Sequence, residues 1–196
     1  MLGATLLLIE FTIMVRSMPS KKRYSVGLYI GRFQPFHIGH WYVVQEALKE
    51  CEKLVVAIGS AQEARTEKNP FNFYERMSFI AASLNWEDLE RIIIIGVNDR
   101  ENKEDNSSWG EYLINEVLRL TDLQPGICFT GEEQVRQHWF DTVEIDEKVI
   151  SRDDIPVSAT MVREAVRTNN KELFLSMVPI GMENQWDKMR EVLCNE

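Results

Sequence analysis

The amino-acid sequence predicts an α/β protein whose core is a doubly wound, mostly parallel sheet of about five strands, with a C-terminal helical segment. Strand and helix signals alternate from Tyr24 onward, which is typical of a parallel sheet with helices on both faces. The strand segments are short apolar runs such as Leu54–Ile58, as expected for strands buried inside such a sheet. In this class, ligands bind at the carboxyl ends of the strands, where the strand order reverses.

The first half of the chain is predicted to contain three strands separated by two helices. In chain order we expect a strand Tyr24–Gly31, a helix from about Ile38 to Cys51, a strand Lys53–Gly59, a loop Ser60–Phe71, a helix from about Asn72 through Leu84, and a strand Arg91–Val97. Asn72 is a good N-cap, and Glu75 three residues later is its capping-box partner. Four consecutive isoleucines in the third strand predict burial on both faces.

The second half continues the alternation. We expect a polar segment Asn98–Asn106, a helix from about Ser107 to Leu120, a strand Ile127–Gly131, a helix Glu132–Phe140, a short fifth strand Thr142–Ile145, and a helix capped by Ser158. Near the end, Trp186, Met189 and Leu193 recur at helical spacing, which indicates a helix that packs on the core. If the first and fourth strands are neighbours, the turns that follow them face each other.

The composition favours a globular protein that binds a small ligand. The chain has 196 residues, and we expect a single domain over residues 21–196. Its net charge of −9 argues against a non-specific nucleic-acid binder, which would usually be basic. Cys51, Cys128 and Cys194 lack metal-ligand spacing, so we expect reduced thiols and a cytoplasmic location.

Residues 1–20 form a leader that we set apart from this domain. The run Leu2–Val15 is mostly apolar, but Glu10 interrupts it and it is too short to span a bilayer. No positive segment precedes it and no small-residue cleavage site is evident, so it does not resemble a secretory signal. We favour an over-long gene model with the true start at Met14 or Met18. A weak membrane anchor and an extra structural arm are the alternatives.

The most specific motif is the string Gly31–His40, which reads Gly-Arg-Phe-Gln-Pro-Phe-His-Ile-Gly-His and directly follows the first predicted strand. A helix start offers unpaired N–H groups and a positive dipole end to an anion. Gly31 and Gly39 leave room for phosphates to approach the backbone. His37 and His40 lie on one helix face, where their rings can donate N–H bonds to phosphoryl oxygens. The string predicts a triphosphate site; a surface cap and half of a metal site are the alternatives.

A second phosphate-binding candidate lies far downstream, at another predicted helix start. Ser158, Thr160 and Arg163 form the pattern Ser-x-Thr-x-x-Arg. Backbone N–H groups and hydroxyls can seat phosphate oxygens there, and the guanidinium can neutralise charge that develops on pyrophosphate. By itself the pattern is only a capped helix.

Two weaker signals predict a site for a second substrate. Gly59-Ser60-Ala61-Gln62 ends the second predicted strand, where a backbone nest and two side chains can hold a phosphate. Trp109 starts a helix beside a polar loop, and its face can stack on a planar ring, especially a cationic one. The alternative for Trp109 is a core residue at a helix start.

Residues 37–40 spell His-Ile-Gly-His, and on this motif the chain resembles the HxGH nucleotidyltransferase superfamily. The longer string is similar to that of the nicotinamide-mononucleotide adenylyltransferases, especially the archaeal type. The similarity continues in order through Gly59-Ser60-Ala61-Gln62, Asn69-Pro70-Phe71, Glu75-Arg76-Met77, Asn106-Ser107-Ser108-Trp109 and Ser158-Ala159-Thr160-Met161-Val162-Arg163. The resemblance implies a Rossmann-like fold and adenylyl transfer from ATP to nicotinamide mononucleotide, or also nicotinic acid mononucleotide. The products would be NAD and pyrophosphate, formed by direct in-line attack.

The resemblance also implies the residues of the site. The catalytic residues would be His37, His40 and Arg163. The ATP-binding residues would be Gly31, Arg32, Phe33, Gln34, Gly39, Gly131, Ser158 and Thr160. The acceptor-binding residues would be Gly59, Ser60, Gln62, Lys68, Asn106 and Trp109. Two departures leave the acceptor contacts open: Lys68 replaces the usual arginine, with Arg65 three residues earlier, and Glu164 replaces a residue that is often basic.

No carboxylate cluster demands a protein-only metal cage, so no metal ligands are assigned and Mg²⁺ is expected with ATP. The expected partners are ATP, nicotinamide mononucleotide and NAD, with no nucleic acid and no membrane; the family resemblance implies a homo-oligomer. Two alternatives remain. The chain could adenylylate or cytidylylate another phosphorylated acceptor, such as pantetheine phosphate or flavin mononucleotide, or it could be a non-catalytic nucleotide-sensing module.

Overall fold

A five-stranded open sheet forms the centre of the protein in a computed structural model, which describes residues 22–100, 108–131 and 139–194. All strand pairs in it are parallel, and the order is β3-β2-β1-β4-β5. The strands are β1 Tyr24–Gly31, β2 Cys51–Ile58, β3 Ile92–Gly96, β4 Ile127–Thr130 and β5 Asp146–Val149. The predicted sheet of parallel strands is therefore confirmed.

Seven α-helices and one 3₁₀ helix connect and follow the strands in the described part of the chain. The α-helices are α1 Ile38–Glu50, α2 Phe73–Ala82, α3 Trp86–Leu89, α4 Trp109–Thr121, α5 Ala159–Arg167, α6 Lys171–Met177 and α7 Trp186–Cys194. The 3₁₀ helix is Ile180–Gln185. None of the helices in these described ranges is long and apolar enough to cross a membrane.

The central strand β1 lies between β2 and β4, so the chain changes direction across the sheet at this point. In the register, Leu28 pairs with Val55 on one side and with Cys128 on the other. The first and fourth strands are thus neighbours, which was stated from the sequence only as a condition. This pairing places the ends of β1 and β4 side by side, at the edge where doubly wound sheets bind their ligands.

Both faces of the sheet are covered by helices. Tyr29 belongs to a core cluster that also contains residues of α1, α2, α5 and α7, including Trp186. Its neighbours Leu28 and Ile30 face the opposite way and belong to a second cluster, with Leu113 of α4. Alternating side chains of a strand point to opposite faces, so the two clusters are the two layers of a doubly wound fold.

The edges of the sheet depart from the predictions. Ile93 and Ile94 are only half-buried, not buried on both faces, because β3 is an outer strand. The predicted fifth strand Thr142–Ile145 is wrong, since β5 begins only after it. The apolar residues Val143 and Ile145 of that segment pack against the core cluster of α4 instead. All four residues of β5 are exposed, and no apolar alternation marks the strand.

Helix ends follow the local signals. The capping box of Asn72 and Glu75 is present, but α2 ends at Ala82 rather than Leu84, and the one-turn helix α3 follows it without having been predicted. Trp186 and its helical partners are buried, as predicted. The leader 1–20 and most of the predicted helix Glu132–Phe140 lie outside the described residues.

Candidate active site

A cleft of about 460 Å³ opens at the carboxyl ends of β1 and β4, beside the start of α5. Its walls contain every residue that was predicted to be catalytic or ATP-binding except Gly39: Gly31, Arg32, Phe33, Gln34, His37, His40, Gly131, Ser158, Thr160 and Arg163. The His-Ile-Gly-His turn and the Ser-x-Thr-x-x-Arg helix start therefore meet in one cavity, although they are far apart in sequence. This juxtaposition is what the switch point of the sheet predicts.

The two histidines of the cleft stack closely, with ring centroids 3.7 Å apart. His37 is the N-cap of α1, and its Nδ1 accepts a hydrogen bond of 3.1 Å from the backbone N–H of Gly39. A ring nitrogen that accepts carries no proton, so the proton of a neutral His37 is on Nε2. His37 can thus donate one hydrogen bond while it caps the helix.

Burial keeps both histidines neutral. Burial, and after it the positive charge of Arg152, lowers the pKa of His37 to about 3. The pKa of His40 also lies well below its usual value, because of burial and then because of His37 and Arg152. His40 packs edge-on against Phe33, and its buried Nδ1 has no hydrogen-bond partner within the described residues. At neutral pH the pair can donate hydrogen bonds but adds no charge.

The low pKa of His37 predicts a pH-dependent stability. An unfolded histidine takes up a proton near pH 6.5, whereas folded His37 does so only near pH 3, so stability falls as the pH falls through this window. Between pH 7 and pH 5 the loss from this group is expected to reach about 2 kcal/mol. His37→Asn keeps a side-chain oxygen for the Gly39 N–H and removes the titration. Urea unfolding at both pH values should show a smaller pH effect in the variant; an equal effect would contradict the assignment.

Arg152 is a cleft residue that sequence reasoning missed. Its guanidinium lies against the two glycines: a Cβ on Gly131 would lie 2.4 Å from its Nε, and a Cβ on Gly39 would lie 3.3 Å from its Nη1. Gly39 was predicted to leave room for phosphates and Gly131 to bind ATP, but in the structure both glycines make room for an arginine. The signal was present, since Arg152 follows the carboxyl end of β5, but misplacing that strand at Thr142–Ile145 hid it.

Arg163 joins α5 to the turn after β1. Its Nη1 donates to the backbone oxygen of Gln34 at 2.6 Å, and its Nη2 donates to Thr160 Oγ1 at 3.2 Å. Burial lowers its pKa from the usual value, followed by the positive charges of Arg167 and Arg32. Because the pKa of a guanidinium is so high, Arg163 stays positive at neutral pH and lines the cleft.

Gln34 and Phe33, in the turn after β1, make contacts within the protein that restrict their predicted contact with ATP. The side chain of Gln34 is buried and makes two hydrogen bonds with the backbone of Phe71, at 2.9 and 3.0 Å. Phe33 is buried as well and has a positive φ of 51°. Its ring would lie 2.8 Å from a Cβ on Gly31, so this glycine accommodates the phenylalanine ring rather than a phosphate.

Lys68 lines the same cleft as the histidines, although it was predicted to bind the acceptor. Arg65 does not replace it, because its guanidinium forms a two-pronged pair with Glu75, at 2.7 Å for both contacts, and also donates to the oxygen of Pro70. This pair holds the loop before α2.

Four cationic side chains line the cleft, namely Arg32, Lys68, Arg152 and Arg163. This positive lining is suited to a polyphosphate.

The predicted acceptor turn after β2 lies outside the cleft lining. The hydroxyl of Ser60 donates to Asp99 at 3.0 Å, and the amide of Gln62 donates to the other oxygen of Asp99 at 3.0 Å. Both side chains are therefore bound to Asp99 rather than directed at a phosphate. The nearest atom to a Cβ on Gly59 would be 3.9 Å away, so this glycine has room for a ligand.

Two aromatic side chains lie beside Trp109, the first residue of α4. Its ring centroid is 5.2 Å from that of Tyr112 and 5.7 Å from that of Trp139. Its buried indole nitrogen has no hydrogen-bond partner among the residues that the structure describes. Asn106, the other predicted acceptor residue of this region, lies outside those residues. Within the described ranges, no group of three or more His, Cys, Asp or Glu side chains is arranged to hold a metal ion.

The fold and the site define an α/β domain with a ligand cleft at the switch point of its sheet, lined by hydrogen-bond donors and cations. A model of the cytidylyltransferase-like family matches residues 28–170. The chain therefore belongs to this family. The match includes the histidine turn and the helix start that form the cleft.

Several proteins similar to this chain are named nicotinamide-nucleotide adenylyltransferase. Nicotinamide-nucleotide adenylyltransferase of Saccharolobus solfataricus is 43% identical over 91 residues, which are 45% of this chain and 51% of that protein. The enzyme of the same name from Thermococcus kodakarensis is 33% identical over 140 residues, 70% of each chain. The first of these matches spans only about half the length of the relative.

A solved structure confirms the fold. A bifunctional NMN adenylyltransferase/ADP ribose pyrophosphatase from Francisella tularensis, complexed with AMP and a Mn ion, superimposes with a TM-score of 0.69 at 24% identity. The superposition covers 88% of this chain and 52% of that chain. The chain therefore shares the Rossmann-like α/β fold of the matched region of that structure.

Proposed function

We propose that the protein transfers the adenylyl group of ATP to nicotinamide mononucleotide, and also to nicotinic acid mononucleotide, in NAD biosynthesis. The observation that carries the proposal is the cleft, where two neutral histidines and four cations meet at the ends of β1 and β4. The relatives named nicotinamide-nucleotide adenylyltransferase support the choice of reaction.

The proposed reaction is a direct displacement at the α-phosphorus of ATP. An oxygen of the acceptor phosphate forms the new P–O bond, the bond to the bridging oxygen breaks, and its electron pair leaves with pyrophosphate. The acceptor phosphate is already ionised near neutral pH, so no strong base is needed. Catalysis then consists mainly of positioning and of stabilising charge.

The cleft residues supply these two contributions. His37 donates from Nε2, and His40 donates beside it, to the phosphate oxygens that gain charge in the transition state. Because both rings are neutral, they hold no positive charge of their own that would retain pyrophosphate. Arg152 and Arg163 supply charge to the leaving group, and Arg32 and Lys68 complete the positive lining.

The cleft residues fit an ATP molecule that brings its own divalent cation. Mg²⁺ is proposed to enter on the ATP phosphates, where it would neutralise charge during transfer. We further propose a single domain over residues 21–196, a cytoplasmic location and a homo-oligomer.

The direct test is a pyrophosphate-release assay with ATP against a panel of acceptor phosphates. Nicotinamide mononucleotide should give the highest kcat/KM, with nicotinic acid mononucleotide next. Pantetheine phosphate and flavin mononucleotide represent the other acceptor classes, and a preference for either would replace the proposal. ATP binding without turnover on any acceptor would favour a nucleotide-sensing module.

Trp109→Ala tests the acceptor directly. A stacked ring contributes about 1–3 kcal/mol, so the variant should bind nicotinamide mononucleotide about 10-fold more weakly and ATP almost as before. Binding measured by tryptophan fluorescence should lose part of its quenching in the variant. Trp86→Ala is the matched control, because Trp86 is 74% exposed on α3. If Trp109→Ala is less stable but binds nicotinamide mononucleotide normally, Trp109 is only a core residue.

A further inference from the structure

Arg76 is a completely buried arginine on α2 that faces the ends of two strands. Its Nη1 donates to the backbone oxygens of Arg32 at 3.0 Å and Gly59 at 2.8 Å, and its Nη2 donates to the oxygen of Ser60 at 3.0 Å. Its Nε donates to the oxygen of Asn72 at 3.3 Å. One guanidinium therefore holds four backbone carbonyls.

Three of these carbonyls, those of Arg32, Gly59 and Ser60, belong to two different turns. Arg32 is in the turn after β1, which lines the ATP cleft. Gly59 and Ser60 form the turn after β2, which the sequence predicted to bind the acceptor and where Gly59 leaves room for a ligand. The two turns are also joined by the hydrogen bond of 2.9 Å from the N–H of Gly59 to the oxygen of Gly31. The side chain of Arg76, which comes from α2, thus fixes the distance between the turn after β1 and the turn after β2.

The surroundings of Arg76 are unusual for a buried cation. Burial of a charge is costly unless it is fully hydrogen-bonded, and here backbone oxygens supply those bonds. Burial lowers its pKa to about 10, with Arg32 acting in the same direction while Asp99 and Glu75 oppose it. The guanidinium is therefore charged at neutral pH and can keep all of its bonds.

We propose that Arg76 is a positioning residue, which locks the turn after β1 to the turn after β2 so that the α-phosphate of ATP and the acceptor phosphate meet in line. The inference rests on the proposed adenylyl transfer. It predicts that Arg76 matters for the reaction of the bound pair more than for the binding of either substrate alone, since misplacement by about 1 Å can cost about 100-fold in rate.

The chain provides a matched control in Arg91. Its guanidinium also holds three backbone carbonyls, those of Leu48, Cys51 and Glu52 at 2.6 to 3.0 Å, but at the opposite end of β2. Arg91 is half-buried whereas Arg76 is fully buried, so the comparison uses kcat of the folded variants rather than their stability. If an arginine clamp on carbonyls is only structural, neither Arg76→Lys nor Arg91→Lys should lower kcat. If Arg76 positions the two substrates, only its variant should change the catalytic parameters.

The experiment compares Arg76→Lys and Arg91→Lys in the full-length protein, at a temperature where thermal melting shows both to be folded. For Arg76→Lys, kcat in the pyrophosphate-release assay should fall about 10- to 100-fold. The Kd of a non-hydrolysable ATP analogue and the Kd of nicotinamide mononucleotide, each measured alone by calorimetry, should change less than about threefold. Arg91→Lys should keep kcat within about twofold.

Other results would overturn the inference. It fails if kcat of Arg76→Lys stays within about twofold of the wild type, if the loss lies wholly in one Kd, or if Arg91→Lys loses as much. If Arg76→Lys does not fold, Arg76→Gln takes its place, and failure of both to fold would make Arg76 a requirement of the fold alone. Absence of turnover in the wild-type protein would instead remove the proposed function, so the two failures are distinguishable.

Discussion

His40→Ala is expected to lower kcat by about 100-fold or more while the protein stays folded. A preorganised donor to the charge that develops on the transferred phosphate contributes about 3 kcal/mol to the transition state. The position of His40 supports this effect: its ring lines the cleft, lies 3.7 Å from His37 between ring centroids, and is held by Phe33 and Phe36. Steady-state kinetics in the pyrophosphate-release assay measure it, with circular dichroism to verify folding.

A neighbouring aromatic residue provides the control for this variant. Trp41 follows His40 on α1 but is 37% exposed and does not line the cleft. Trp41→Ala should therefore keep kcat within about twofold. Near-normal turnover of a folded His40→Ala protein would refute the catalytic role of His40 and leave it as a packing residue of the turn.

Arg152→Ala is expected to raise the KM for ATP by about 10-fold or more and to lower kcat as well. Each charge-assisted hydrogen bond that the guanidinium makes to the triphosphate contributes about 1.5–3 kcal/mol. Arg152→Lys should recover only part of the loss, because lysine cannot form a two-pronged contact. Initial rates at varied ATP and fixed acceptor measure both variants.

Arg152→Ala should also change the pKa values of the two histidines in the cleft. Arg152 lowers the pKa of both His37 and His40, so its removal should raise these pKa values toward the usual range. Arg119→Ala is the matched control, because Arg119 forms an exposed pair with Glu116 on α4, away from the cleft. If Arg152→Ala and Arg119→Ala give the same KM for ATP, Arg152 does not bind the nucleotide.

Local signals in the sequence were sufficient for the strands at the centre of the sheet and for most helix ends. The bounds of β1 and the capping box of α2 follow directly from the residues, because apolar runs and short-range caps decide them. The cleft was predictable to the same degree, since its two motifs lie at helix starts. The pairing of β1 with β4 required the doubly wound fold as an assumption.

What could not be predicted depends on tertiary context. β5 reads Asp-Glu-Lys-Val and is exposed, so its backbone pairing with β4 leaves no pattern in the side chains. The roles of Arg152 and Arg76 were missed for a related reason: each acts through groups that are distant in sequence. Arg65, three residues before Lys68, pairs with Glu75 through contacts that sequence spacing does not specify.

The position of β1 in the sheet also bears on when the cleft can form during synthesis. Its partner in β2 is close along the chain, but Leu28 meets its partner in β4 only at Cys128, so that pairing must close a loop of 100 residues. Arg163 emerges later still. The ribosome therefore releases more than four fifths of the 196-residue chain before the nucleotide pocket has all of its walls. Until then, β1 has one edge without its native partner β4, and the face of the sheet that α5 covers is incomplete. Nascent chains of intermediate length are therefore expected to be the form most dependent on chaperones.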